Sequence, residues 1–474
     1  MTLLAFALPF LLFISFPSRM WNFDGVACAA ALELGNPMFL FHSNHLLYGF
    51  FGFLFWKPLS FGILPRALPA LQLFTSLLSA AGLAGLFMIL QSILTDRRLA
   101  LLATLCVSVT AVVWVWSIEA QVYALGFLAL SWATYHVMRP AHPKKWLWVG
   151  ALHAGAVLGH IIHALWIVPA LYLLWKENPR VRTTSLRRYL LVLAAGTALP
   201  YLLVIGTVIL PKHLQDGWLV KWLLGSAALN AHSTFQWHFA GWTGPLDWAT
   251  TSVRLFWGSF WPYQTNVPLW CGLLTLVSIS VVLGLLGMSL KRKNQPLWTF
   301  CALWLAVYGV FFWTWEPATE CYRLTDFIPL GILLGLGAHG IRQTSVRWVL
   351  LALLFMTLVP VNLRTRIIPM HDPQKNVGYR ETQALARATP DNSLYLTLGG
   401  IAWIYLLYFS GRSAWNVNSL MRDPDRLGDD IARRGPTQPV FIQAQALGAD
   451  AVKPWIARYK RRPVEGAPPW LQLQ

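Results

Sequence analysis

Apolar residues run along this chain in stretches long enough to cross a bilayer, and basic clusters punctuate them. The first run, Leu3 to Phe16, lacks a basic start and a small-residue cleavage site, so a retained span is expected. Residues 46–64 are apolar but interrupted by Lys57 and Pro58, which suits an interfacial helix. Ala67 to Leu94 is the second span, closed by Asp96-Arg97-Arg98. Residues 99–138 exceed one crossing and break at WSIEAQ, giving a hairpin of two spans. Residues 146–175 begin and end at basic loops, so they hold two short spans joined near His160 to His163, or a re-entrant hairpin. Further spans are predicted near 189–211, before Leu290, and at 297–315, 327–341 and 348–362.

This reading gives an α-helical polytopic membrane protein of about eleven transmembrane helices. Its basic loops, at Arg97-Arg98, Lys144-Lys145, Arg187-Arg188, Lys291-Arg292-Lys293 and Arg342/Arg347, all fall on one side, which the positive-inside rule makes cytoplasmic. Asp24, His42, His45, Glu119, His160, His163, the 212–265 loop and Glu316 to Asp326 share the outer side. Residues 363–474 are polar and predict a small outer α/β domain, separate from the membrane domain 1–362. A helix at 376–388, a strand at Ser393 to Leu398, an apolar segment 401–410, a helix near 424–434 and a strand at Pro439 to Gln443 alternate along it.

Composition narrows the class. With 56% hydrophobic and 12% charged residues the chain is too apolar to be soluble. The net charge of +18 is explained by cytoplasmic loops, without nucleic acid. The five cysteines have no zinc spacing and read as packing residues, although Cys28 and Cys321, on one side, could form a disulfide.

Chemistry concentrates in the outer segments. Asp24 is an acid beside an apolar span, and such a residue is a site hypothesis; its alternative role is to cap a helix from Gly25 to Leu34. His42 and His45 share a face if helical and could bind a phosphate or a metal, or be interfacial residues only; His160 and His163 repeat the spacing. Glu119, with Gln121 and Tyr123, sits among Trp114, Trp116 and an Ala-Leu run, an uncomfortable place for a solvated boundary residue. Arg323 suits a phosphate through its planar donor fork, the alternative being a salt bridge with Glu320. The outer loop carrying Lys212, His213, Lys221, Trp222, His232, Trp237, His238, Trp242, Trp248 and Arg254 could stack on sugars or anchor at lipid headgroups. Asp423-Pro424-Asp425 has a DxD form but reads as a helix cap, and no Walker A or GxGxxG motif is present.

These segments resemble the GT-C fold membrane glycosyltransferases, in particular bacterial relatives of the protein O-mannosyltransferases. The resemblance rests on Asp24-Gly25 followed by Leu34-Gly35, the His42 and HLLY (45–48) segment, SIEAQVYAL (117–125), LGHIIHALWIVPA (158–170) and ECYRLTDFIPL (320–330). It implies transfer of a sugar from a polyprenyl-phosphate carrier to an acceptor on the outer face, in a bacterial inner membrane. Asp24 would deprotonate or orient the acceptor, and Arg323 with His42 or His45 would neutralise the carrier phosphate. Glu119, Gln121, Tyr123, His160, His163 and Glu320 would support the cavity. Ser43 and Asn44 replace the prolines of the family's HPPGYPL-like stretch, and Gln121 replaces the Glu of its AEVYxL-like stretch. The competing reading is a lipid or polysaccharide flippase without chemistry. A transporter favours repeated halves and charges within spans, whereas here polar residues gather in outer loops. A non-catalytic assembly partner would leave Asp24 dispensable. Neither the sugar, the acceptor nor the participation of a divalent metal is specified.

Overall fold

The computed structural model describes residues 1–474 except 36–39, 140, 141, 143, 214–218, 220, 221, 223–242, 259–266, 418–437, 449–452, 457, 458, 468 and 474. The membrane part opens with α1 (Thr2–Ile14), α2 (Phe23–Leu34), α3 (Leu46–Leu59) and α4 (Ala67–Leu94). A bent pair, α5 (Arg97–Ser108) and α6 (Ala111–Ile118), leads to α7 (Tyr123–Met138) and α8 (Lys145–Gly159). A 3-10 turn (Ile161–Trp166) enters α9 (Ile167–Trp175), and α10 (Pro179–Val204) runs on through a π turn. Then come α11 (Thr243–Arg254), α12 (Leu269–Ser289), α13 (Pro296–Trp315), α14 (Phe327–His339) and α15 (Thr344–Asn362). Among the described residues six helices are long and apolar enough to cross a bilayer, or seven with the bent pair counted as one span. The shorter α1, α7, α8 and α9 occupy the other places where crossings were expected, and α3 is a short apolar helix where an interfacial one was expected.

Burial sorts these helices. α4 is enclosed along most of its length, whereas Leu191, Leu199, Leu202 and Leu203 of α10 and Leu273, Leu276 and Leu283 of α12 are exposed, as lipid-facing side chains should be. Some of the basic loops meet at one end, where Lys145 bonds Glu177 at 2.8 Å and a groove is walled by Lys145, Lys176 and Gln295; Arg187-Arg188, expected in a loop, lies inside α10.

The 70° bend between α5 and α6 aims α6 towards Glu119. A bend in a span frees backbone groups that lipid cannot satisfy. Here Asn362, fully buried at the end of α15, donates through Nδ2 to the carbonyls of Val109 and Phe256, both at 2.8 Å, and accepts from the Gly258 N–H at 3.1 Å. Asn362→Leu leaves three buried groups unmade and is expected to cost roughly 2–4 kcal/mol, read as a lower thermal midpoint in detergent. An unchanged midpoint would remove Asn362 from this role.

The helix of α15 does not stop at the expected boundary of 362. It continues through a π turn (Leu363–Ile367) to His371, because another turn of apolar contacts, Ile367 and Met370, is buried. The polar tail beyond it forms α16 (Val377–Ala388), β1 (Leu394–Thr397), α17 (Gly400–Ser410), β2 (Ser413–Asn416), β3 (Val440–Gln443), β4 (Arg461–Pro463) and β5 (Trp470–Leu473). The sheet order is β2-β1-β3-β5-β4, with β1 parallel to β2 and β3 and β5 antiparallel to β3 and β4. All four β1 residues are buried, as a central strand covered on both faces requires. Leu394 and Leu396 pack with Val440, Ile442 and Ile456, while Tyr395 packs with Leu385 and Leu406 of the helices. The helix expected near 424–434, the DxD spelling, and Lys221, His232, Trp237, His238 and Trp242 lie outside the described residues, as do the side chains of Lys212 and His213.

Candidate active site

Two residues before Asp24, Asn22 takes the cap of α2, its Oδ1 accepting the Gly25 N–H at 2.9 Å. The capping role considered for Asp24 is therefore filled by Asn22. Asp24 sits in the first helical turn, half-buried, and none of the described residues hydrogen-bonds or ion-pairs its carboxylate. Desolvation raises its pKa from the usual 3.8. Its charge bears on Cys28, Tyr48, Tyr123, Cys321 and Tyr322, a wall of phenols and thiols. All five cysteines are free, so Cys28 and Cys321 do not pair, although the Asp24 charge reaches both.

Glu119 is enclosed behind this helix. It is 1% exposed, accepts from the Ser18 hydroxyl, and accepts from Asn22 Nδ2 at 3.2 Å. Burial pushes its pKa up to about 8 against those two donors. Gly25 completes the fit: a Cβ there would lie 2.5 Å from the Ala120 carbonyl oxygen. The turn is fastened to α4 by Gln72 Nε2 on the carbonyls of Ser18 (2.8 Å) and Ile118 (3.2 Å), and by Ser76 Oγ on that of Ser117 (2.8 Å). Gln121 gives its backbone N–H to Thr75, and its side-chain oxygen is buried with no partner among the described residues. This polar edge of α4 escaped the sequence reading, yet Gln72, Thr75, Ser76 and Ser79 fall at the i, i+3, i+4, i+7 spacing of one helix face.

The histidines converge by a different route from the one expected. His42 and His45 share a tight turn, not a helical face, with rings stacked at 4.3 Å and the His45 N–H on the His42 carbonyl. His45 lies 6.5 Å from His160, whose ring is 4.9 Å from Tyr123; Tyr123 in turn meets Tyr322 at 5.1 Å. The Ile161 N–H on the Asn44 carbonyl, at 2.8 Å, ties the two histidine segments together. Burial lowers His42 to about 4 and His160 to about 3, and holds His45 well below 6.5, so near neutral pH these rings are uncharged donors or acceptors. His163 turns away, bonding Tyr308 at 3.2 Å and packing on Gly126.

The cation cluster also differs in its pairing. Arg323, 4% exposed, bonds Asp326 at 2.9 Å and Ser252 at 2.7 Å and lies 5.0 Å over the Trp248 ring. Glu320 is not its partner; it holds Arg254 and, at 3.1 Å, Arg366. The side chains of Arg254 and Arg366 are 31% and 26% exposed, and Arg366 also bears on Glu119. Among the described residues no group of three or more His, Cys, Asp or Glu is arranged to hold a metal.

Residues 52–205 match the family model described as dolichyl-phosphate-mannose-protein mannosyltransferase. The whole chain superposes on the crystal structure of ArnT from Cupriavidus metallidurans in the apo state, with a TM-score of 0.66 at 13% identity over 99% of this chain and 97% of that one. Its fold is that of the GT-C membrane glycosyltransferases. The Archaeoglobus fulgidus oligosaccharyltransferase shares the GT-C frame more distantly. Its apo form gives a TM-score of 0.52 at 10% identity, over 94% of this chain and 70% of that one. Its complex with Zn and sulfate gives 0.50 at 11%, over 93% and 68%. No curated protein is significantly similar in sequence.

Proposed function

We propose that this protein is a glycosyltransferase that moves a sugar from a polyprenyl-phosphate carrier to an acceptor on the outer face of a bacterial inner membrane. The observation that carries the reading is an unpaired, desolvated carboxylate, Asp24, set among phenols at the end of a GT-C membrane domain opposite the basic loops. In the transfer, the acceptor heteroatom bonds to the anomeric carbon as the carbon–oxygen bond to the carrier phosphate breaks. Asp24 takes the acceptor proton, and polyprenyl phosphate leaves with the bonding pair.

The leaving phosphate needs positive charge, and Arg254 and Arg366, whose side chains are partly exposed, supply it. Arg323, the cation favoured by sequence, is enclosed by Asp326, Ser252 and Trp248 and shapes the wall behind them. His42, His45 and His160 serve as neutral hydrogen-bonding groups beside Tyr123. Nothing observed favours the flippase reading.

Radiolabelled sugar should pass from polyprenyl-phosphate sugars to membrane or periplasmic acceptors only where the intact chain is present; no transfer from any such donor would defeat the proposal. Arg366→Ala is expected to raise KM for the carrier-linked sugar about 10–100-fold, the loss of one charge-assisted contact of roughly 1.5–3 kcal/mol. An unchanged KM would take Arg366 out of the phosphate site.

A further inference from the structure

The segment that leads into α2 is held from two sides, and only one of them belongs to the membrane domain. From below, Glu119 bonds Ser18 and Asn22. From above, the C-terminal domain reaches the backbone of the same segment. Tyr405 of α17 donates its hydroxyl to the Trp21 carbonyl, and Asn376 donates to the Arg19 carbonyl at 2.9 Å and to the Tyr405 hydroxyl at 3.1 Å. Tyr405 is 2% exposed and Asn376 6%. The Trp21 ring is packed between Tyr379 and Phe409 of that domain, with centroids 5.1 and 4.5 Å away. Close approach is built in at Gly400, where a Cβ would stand 2.9 Å from the Phe23 ring. The other end of α2 is pinned as well, since the Tyr408 hydroxyl donates to Glu33 at 2.8 Å.

The carbonyls of Arg19 and Trp21 precede the helix, so helical N–H groups do not reach them; buried donors from the C-terminal domain do. The side chain three residues after Trp21 is Asp24. General-base catalysis is sensitive to sub-ångström placement, so a helix bearing the base needs both ends fixed.

We propose that the C-terminal domain is part of the catalytic apparatus, with Tyr405, backed by Asn376, as a positioning residue that sets the Asp24 helix through the Trp21 and Arg19 backbone. This rests on the reading of Asp24 as the acceptor's base. It gives the domain a role that needs no ligand of its own, and it makes turnover respond to whatever tilts α17.

The test uses the full chain in lipid nanodiscs, as Tyr405→Phe and, separately, Asn376→Ala. Two things are read: amide hydrogen exchange over 22–34 and 67–94, and steady-state transfer with varied carrier-linked sugar. The expected result is exchange at least tenfold faster in 22–34 with 67–94 unchanged, together with a tenfold fall in kcat at constant KM for the carrier. A purely structural residue would speed exchange throughout and lower the active fraction. Unchanged exchange in 22–34, or faster exchange with kcat intact, would overturn the proposal. Absence of transfer by the unaltered protein would instead defeat the sugar-transfer reading, while the exchange result would still decide whether the C-terminal domain anchors α2.

Discussion

Asp24→Asn is expected to yield a folded, membrane-inserted protein that transfers sugar at least about a hundredfold more slowly than the parent, the scale of losing one positioned general base. The fold should survive because the carboxylate bonds none of the described residues, the cap of α2 is Asn22, and Asn matches Asp in size. Thermal midpoint and expression should therefore stay near the parent's while kcat collapses and KM for the carrier sugar moves little, since the role proposed for Asp24 is on the acceptor side. The pH profile gives an independent check. A base works only when ionised, and burial lifts Asp24 above its usual 3.8. Activity should therefore fall on acidification at a pH above the ordinary aspartate range. Equal transfer by the two proteins at matched levels would remove Asp24 from the chemistry.

The membrane architecture was largely readable from sequence because its signals are local. Apolar runs, their interruption at Lys57-Pro58 and at WSIEAQ, and the parity of basic loops do not depend on distant partners. The alternating tail was readable for the same reason, and β1 with α16 and α17 came out close to where they were expected. The site was only partly readable. Tyr123, His42, His45 and His160 do gather, but the two histidines of HxxH meet in a turn whose geometry the spacing does not reveal. Glu320 and Arg323 are three apart, the separation that suggests a pair, yet the partners of Glu320 come from residues 254 and 366. Competition among tertiary partners decides such pairings, and a single sequence does not contain it. Both Asn22 and Asp24 are good capping residues; what chooses Asn22 is Glu119, nearly a hundred positions away, gripping its amide. The α4 polar stripe was present in the sequence but submerged in a run whose mean hydropathy marked it as a plain span.

The second large effect is expected at Glu119, where the replacement matters more than the position. Glu119→Ala removes the acceptor for two buried donors, on Ser18 and Asn22, and should cost roughly 2–5 kcal/mol while slackening the cap of α2, so that transfer falls with stability. Glu119→Gln should behave quite differently. With its pKa pushed up to about 8 by burial, Glu119 carries a proton at neutral pH, and a neutral amide of the same shape still presents an oxygen acceptor to these donors. Near pH 7 the Gln variant should therefore match the parent in thermal midpoint and in turnover. The sign of the pH dependence follows from proton binding. Between the ordinary value of 4.5 and about 8 the folded protein holds a proton at Glu119 that the unfolded chain has released. This contribution to stability is complete below 4.5 and is lost as pH rises through that window. The parent should lose stability from pH 5 to pH 8, and Glu119→Gln should lack this component. Thermal midpoints of both proteins across that range decide it: parallel curves would mean that Glu119 is ionised at neutral pH, and that α2 is held by a charged group instead of a neutral one.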